Sequence, residues 1–344
     1  MKIILAVLFL SVTALASNNS ALRTYQLINP ATKTIDAVAE EFEVVKKLSN
    51  GYEIYVPEIK VVRFLNLAPK AQFISAPDIK KSFDSAGYRD FNQVQDELKA
   101  LELKYPTIAK LEIYGTTTSG HNLYVLKVSD NVQQDEDEPE LLITSATHGD
   151  EIITVEVEME IINLLLQNYE KDPRLTKMIN EKELFFIPVV NPQGYSQRDR
   201  YANNTDPNRD YPYPGHENKK SVDCIEAIRK WFHSRDIKGS IDLHAYGKLI
   251  MFPWAYTKKA PLKEDENIFQ YLTNSMAEFN KYEAGQISKI IYVAKGSSAD
   301  YYYWKNKTLA LGVELSTSKA PPFRSVPKVI EESKEMIWRF IEHF

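Results

Sequence analysis

From Tyr88 onward the chain alternates short apolar runs with amphipathic stretches, a pattern of strands interleaved with helices. Leu141–Ala146 and Leu184–Val190 are apolar runs of strand length. Lys110–Tyr114, Leu123–Val128, Ser240–Leu243, Leu249–Trp254, Ser288–Tyr292 and Leu309–Leu315 also read as strands, the first two joined by a loop with Gly115 and Gly120. Phe91–Tyr105, Ile152–Tyr169, Ser221–Ser234, Glu264–Tyr282 and Val326–Phe344 read as helices. This order predicts an α/β domain over residues 86–344, a mostly parallel or mixed sheet sandwiched by helices, with its functional groups at strand ends.

Upstream the pattern changes. Apolar residues at 35, 38, 42, 45 and 48 form a helical stripe over Ile35–Leu48. Tyr52–Val56 and Lys60–Leu65 are strand-like and separated by Pro57. Residues 17–80 therefore read as a small α+β module, either a prosegment or an ordinary N-terminal unit. Before it, Lys2 precedes the apolar run Ile3–Leu10 and an Ala14-Leu15-Ala16 ending, the features of a signal peptide over residues 1–16. A secreted or periplasmic protein is expected, without a membrane partner once that peptide is cut, because a spanning helix needs about 20 apolar residues.

Composition narrows the chemistry. Forty-two Lys and Arg against 47 Asp and Glu leave a net charge of −5 with no basic run, which argues against nucleic acid as a partner. The single cysteine, Cys224, excludes an intrachain disulfide and a cysteine-based zinc site. The glycines form neither a dinucleotide fingerprint nor a phosphate loop.

Two histidines stand at strand ends: His148 after Leu141–Ala146, and His244 in Ile241-Asp242-Leu243-His244. Glu151 follows His148 by three positions, so His148, Glu151 and His244 offer a His₂Glu set of the kind that binds catalytic zinc with one position open. His121, His216, His233 and His343 lie in loops or on polar helix faces and are assigned to the surface. Glu314 sits inside the apolar strand Leu309–Leu315, where a carboxylate is costly unless paired or functional. A third cluster, Asn191-Pro192-Gln193-Gly194-Tyr195 followed by Arg198, Arg200 and Asp206-Pro207-Asn208-Arg209, begins at another strand end. Its Asn208-Arg209 pair is able to hold a carboxylate, although such a pair in a polar loop is more commonly solvated surface.

The order of these pieces resembles the zinc carboxypeptidases of the pancreatic type, the funnelins, over about residues 88–344. The resemblance implies an α/β sandwich around a mixed eight-stranded sheet and, in many members, an N-terminal inhibitory prosegment. It implies one zinc ion per chain on His148, Glu151 and His244, and a peptide or protein C-terminus as substrate. Asp206 matches the carboxylate that orients His148, and Arg200 the arginine facing the oxyanion, with Arg198 as its rival. Asn208 and Arg209 match the pair that grips the terminal carboxylate. Tyr292 matches the mobile tyrosine, and Glu314 the general base. Ala299 and Met251 fall, with Ala255, Ile287, Ala294 and Gly312, at specificity-pocket positions; that apolar set implies a large hydrophobic or aromatic terminal residue, although Lys295 lies nearby. Asp150 stands where pancreatic members have arginine, and Pro207 where leucine is common.

Two other readings stay open. A murein peptide amidase on the same scaffold shares the metal site and is distinguished by activity on diaminopimelate-containing peptides. A non-catalytic binding protein is distinguished by the absence of stoichiometric zinc. A monomer is expected, and a prosegment would be cut between about residues 75 and 88.

Overall fold

A computed structural model describes residues 22–75 and 86–344. The predicted signal peptide lies outside the described residues. These residues fall into two compact units, one of residues 22–29 and 42–75, the other of 30–41 and 86–344.

The smaller unit is a four-stranded sheet in the order β2-β3-β1-β4, with β1 Leu22–Ile28, β2 Glu43–Leu48, β3 Gly51–Pro57 and β4 Gln72–Ser75. The pattern misled at two places here. The stripe expected as one helix over Ile35–Leu48 is a helix only over Thr32–Ala39, and Glu43–Leu48 pairs antiparallel with β3. Lys60–Leu65, expected as a strand, lies largely in the helix Val61–Leu67, where Phe64 is the one buried residue and Val62 is exposed. A single inward side chain suits one helical turn better than an alternating strand. The helix Thr32–Ala39 belongs to the larger unit.

The larger unit contains an eight-stranded mixed sheet in the order β11-β10-β12-β9-β7-β8-β6-β5. Its strands are β5 Ala109–Thr116, β6 Asn122–Val128, β7 Glu140–Thr144, β8 Glu183–Ile187, β9 Ile237–Ala245, β10 Leu249–Phe252, β11 Glu283–Gln286 and β12 Leu309–Leu315. Four central strands, β12, β9, β7 and β8, run parallel, so their C-terminal ends share one edge. Side chains alternate across the sheet. Leu141, Ile143, Ile241, Leu243, Leu311 and Val313 join the core with the helices Ile153–Asn168 and Val326–Glu342. The alternate residues Thr144, Asp242, His244, Gly312 and Glu314 therefore face the other way. Ser288–Tyr292, expected as a strand, begins with a helical turn, Ile287–Ile290, and the pairing strand is the less apolar Glu283–Gln286 before it. Helices Pro173–Asn180 and Ser298–Asn306 were not expected from the pattern. Among the described residues no helix is long and apolar enough to cross a membrane.

Candidate active site

The shared edge of the four parallel strands gathers the predicted chemistry. The loop after β7 carries His148 and Glu151; the segment after β8 carries Arg200, Asp206, Asn208 and Arg209; His244 and Glu314 lie in the last turns of β9 and β12. Parallel pairing sets His244 directly beside Glu314. Two glycines fix the loops against each other. A Cβ on Gly149 would fall 2.0 Å from the Gly194 carbonyl carbon, and one on Gly194 would fall 2.3 Å from Asn191 Nδ2, so neither position admits a side chain without displacement. Ala146, just before His148, is held at φ 44°, a strained conformation for alanine of the kind that collects at functional sites.

His148, Glu151 and His244 are buried, and each presents a donor atom within 4.8 Å of the others. Glu151 is the hinge of the set: Oε1 lies 2.8 Å from His148 Nδ1 and Oε2 2.9 Å from His244 Nδ1. Burial alone would raise the pKa of Glu151, but the two imidazoles outweigh it and hold the carboxylate well below its ordinary range. Burial likewise opposes protonation of His244, yet Asp242 and Glu151 push its pKa well up. Two neutral-capable nitrogens and an ionised carboxylate converging inside the protein are a donor set that fits zinc.

Each imidazole is supported from behind. His148 Nε2 lies 3.1 Å from Asp206 Oδ1, while Asp206 Oδ2 accepts from Arg200 Nε at 3.0 Å and Nη2 at 2.9 Å. Burial would raise the Asp206 pKa, but Arg200, His148 and Arg209 drive it well below the usual range. The same guanidinium reaches into the cradle, with Nη1 3.2 Å from His148 Nδ1 and 3.5 Å from Glu151 Oε1. Its sequence rival lies elsewhere: Arg198 donates to the Arg89 carbonyl at 2.9 Å and stacks over Tyr195. On the other limb, His244 Nε2 lies 3.1 Å from Asp242 Oδ2, a carboxylate that pattern reading passed over. Two residues before a histidine on a strand is the same face, but only the neighbouring strands show what that face holds.

Glu314 stands apart from these pairs. Its Oε2 atom is buried and makes no hydrogen bond, and burial, reinforced by the charge of Glu151, raises its pKa. Asn208 Oδ1 accepts from Ser298 N–H at 2.9 Å, turning the amide nitrogen to within 2.9 Å of His244 Nε2. Arg209 donates to the Asn208 carbonyl at 2.8 Å and to the Tyr292 hydroxyl at 3.1 Å, while its Nε is buried and unpartnered. No carboxylate among the described residues forms an ion pair with Arg209. Met251 and Ala299 are buried; Met251 is beside Gly312 in the sheet, and Ala294 N–H donates to Ala255 O. Asp150 is paired with Lys319 at 2.6 Å. Of the remaining histidines, His121, His216, His233 and His343 are exposed or half-buried, none within the cradle.

Residues 94–336 match the Peptidase_M14 zinc carboxypeptidase family. A zinc carboxypeptidase of Saccharothrix mutabilis subsp. capreolus is 28% identical over 285 residues, covering 69% of this chain and 63% of its own length. Carboxypeptidase A4 of Mus musculus is 25% identical over 268 residues, covering 68% and 63%. The chain thus spans less than two thirds of the length of these curated relatives. The crystal structure of carboxypeptidase A from Helicoverpa armigera superposes with a TM-score of 0.77 at 16% identity, covering 94% of this chain and 97% of that one, which shows a shared fold. From the matched residues, the chain belongs to the zinc carboxypeptidase family.

Proposed function

We propose that this protein is a zinc-dependent exopeptidase that removes single amino acids from the C-terminus of peptides. The observation that supports it most is one edge of a sheet holding both a three-donor metal cradle and an arginine that forms no ion pair with a carboxylate among the described residues. A zinc ion held by His148, Glu151 and His244 would supply Lewis acidity, bringing the pKa of a bound water towards about 7. Glu314, with an oxygen free of hydrogen bonds, takes the proton of the attacking water and later passes it to the leaving amine. Arg200, anchored by two hydrogen bonds to Asp206, presents positive charge where the carbonyl oxygen becomes anionic.

Arg209 and Asn208 bind the terminal carboxylate, and Tyr292, already bonded to Arg209, closes over it. A partly buried guanidinium is better satisfied by a carboxylate than by a phenol, so a free C-terminus is selected over an internal segment. The buried apolar surface of Met251, Ala255, Ala299 and Ile287 supports a large hydrophobic or aromatic terminal side chain. Residues 17–80 act as a prosegment. The helix Thr32–Ala39 supports this: Asp36 accepts from Val293 N–H at 3.3 Å and Glu40 pairs with Lys295, both beside Tyr292.

Release of terminal residues from peptides ending in Phe, Leu, Lys and Glu, with chelator inhibition and zinc rescue, tests the reading. Preference for Phe or Leu is expected. Zinc-independent release, or none after cleavage between about residues 75 and 88, overturns it.

A further inference from the structure

Asp242 and His244 are two residues apart on β9, so the strand's period of two turns both to one face, beside Gly312 and Glu314 of β12. Asp242 is 3% exposed, and four donors close on its carboxylate. Thr144 Oγ1 at 3.0 Å and Thr147 Oγ1 at 2.9 Å meet Oδ1; Ser298 Oγ at 2.7 Å and His244 Nε2 at 3.1 Å meet Oδ2. Three of these donors are neutral hydroxyls. They fix where the carboxylate lies but bring no charge, and a buried carboxylate is expensive without a charged or strongly polar partner. The imidazole is that partner.

Two groups compete for His244 Nε2, because the Asn208 amide nitrogen lies 2.9 Å from it. Asn208 Oδ1 is committed to Ser298 N–H, so the amide can offer Nε2 only a donor. A metal ligand needs its lone pair on Nδ1, the nitrogen that faces Glu151, which leaves the proton on Nε2. A protonated Nε2 donates to Asp242 Oδ2 and cannot accept from Asn208. With four donors distributed over its two oxygens, Asp242 has no acceptor left for a substrate side chain.

We propose that Asp242 is the positioning residue for His244: it selects the Nε2–H tautomer, holds the ring with Nδ1 in the cradle, and strengthens that nitrogen as a donor. The proposal rests on the zinc reading above and extends it to the strand-borne carboxylate at His244 Nε2, as Asp206, on a loop, stands at His148 Nε2.

The test is Asp242→Asn in the full chain, a change of equal size whose amide is able to face Nε2 with a donor and so favour the wrong tautomer. The zinc dissociation constant, measured by competition with a chromophoric chelator, is expected to rise about 10- to 100-fold. The visible bands of the cobalt-substituted protein are expected to shift, and kcat at saturating zinc to fall more than KM changes. Ser298→Ala removes a hydroxyl from Oδ2 while keeping the imidazole contact, and guards against a folding failure: it is expected to weaken zinc less than fivefold but in the same direction. If the parent protein binds stoichiometric zinc while Asp242→Asn binds it equally tightly with unchanged cobalt bands, the proposal is overturned and the zinc reading stands. A change confined to the choice between Lys- and Phe-terminated peptides also overturns it. A parent protein that binds no zinc removes the reading beneath it.

Discussion

The two histidines of the cradle, with ring centroids 4.8 Å apart, are held in different ways. His148 rides a loop pressed onto Gly194, and its supporting carboxylate, Asp206, also carries Arg200. His244 is built into a central strand, and its carboxylate, Asp242, is surrounded by hydroxyls that touch no substrate-handling group except through Ser298. On the loop limb the supporting carboxylate is thus shared between the metal ligand and an arginine proposed to meet substrate, whereas on the strand limb the carboxylate serves the imidazole, and it is His244 itself that touches Asn208, 2.9 Å from Nε2. A carboxylate with two charged partners does two jobs and fails at both when changed; one with a single imidazole partner fails at one.

The first break belongs where the limbs meet. Glu314 neighbours His244 in the sheet and no partner occupies its Oε2. Glu314→Gln is expected to lower kcat by about 10³-fold, within the range for loss of a general base, while zinc stoichiometry by metal analysis stays at one. Near-normal turnover would remove the base from Glu314 and leave both limbs as mere scaffolding.

The contrast between limbs is sharpened by Asp206→Asn measured beside Asp242→Asn, both at saturating zinc. Loss of Asp206 frees Arg200 as well as His148, so kcat/KM is expected to fall by about 10²-fold or more, roughly the cost of an oxyanion donor. The Asp242 variant, once its metal is supplied, is expected to lose much less. Equal losses would show that the limbs are not functionally distinct. A smaller effect concerns Arg209, which lies beyond both. Arg209→Met is expected to raise KM for free C-terminal peptides by about tenfold to a hundredfold and to erase the preference over amidated ones, with kcat changed less.

What sequence reading found on these limbs depended on how local the signal was. His148 and Glu151 stand three apart after an unbroken apolar strand, and Glu314 is an acid in an otherwise apolar run, so each announces itself within a few residues. Asp242 does so only once β9 is known to lie between β7 and β12, which brings Thr144 and Gly312 alongside it. Pairing partners of this kind are 70 to 100 positions distant in the chain and leave no periodicity. The same limit explains the smaller unit: Val45 and Leu48 fit a helical stripe by spacing, but the backbone partners of their segment on β3 decide for a strand. Lys60–Leu65 erred the other way, its β-branched residues suggesting a strand where only Phe64 has a core to enter. The choice between Arg198 and Arg200 was likewise beyond spacing, since it is the carbonyl of Arg89, over a hundred positions upstream, that engages Arg198.

The smallest expected effect is on pH dependence, and it separates Glu314 from the ligand carboxylates. Burial is the first cause that lifts the Glu314 pKa above 4.5, and the charge of Glu151 adds to it. Metal binding at the cradle offsets the charge of Glu151 but does not return Glu314 to water, so part of the lift persists in the active protein. A general base must be ionised to work. Activity is therefore present above the raised pKa and lost as pH falls through it, which places the acid limb of kcat/KM at a higher pH than an ordinary glutamate gives. Glu151 and Asp206, both held well below the carboxylate range, remain ionised across that window and contribute no limb of their own. The profile is measured on a Phe-terminated peptide with zinc in excess, so that metal loss in acid does not imitate the effect. The low residual rate of Glu314→Gln is expected to lack the limb; its persistence there would assign the titration to one of the imidazole limbs instead.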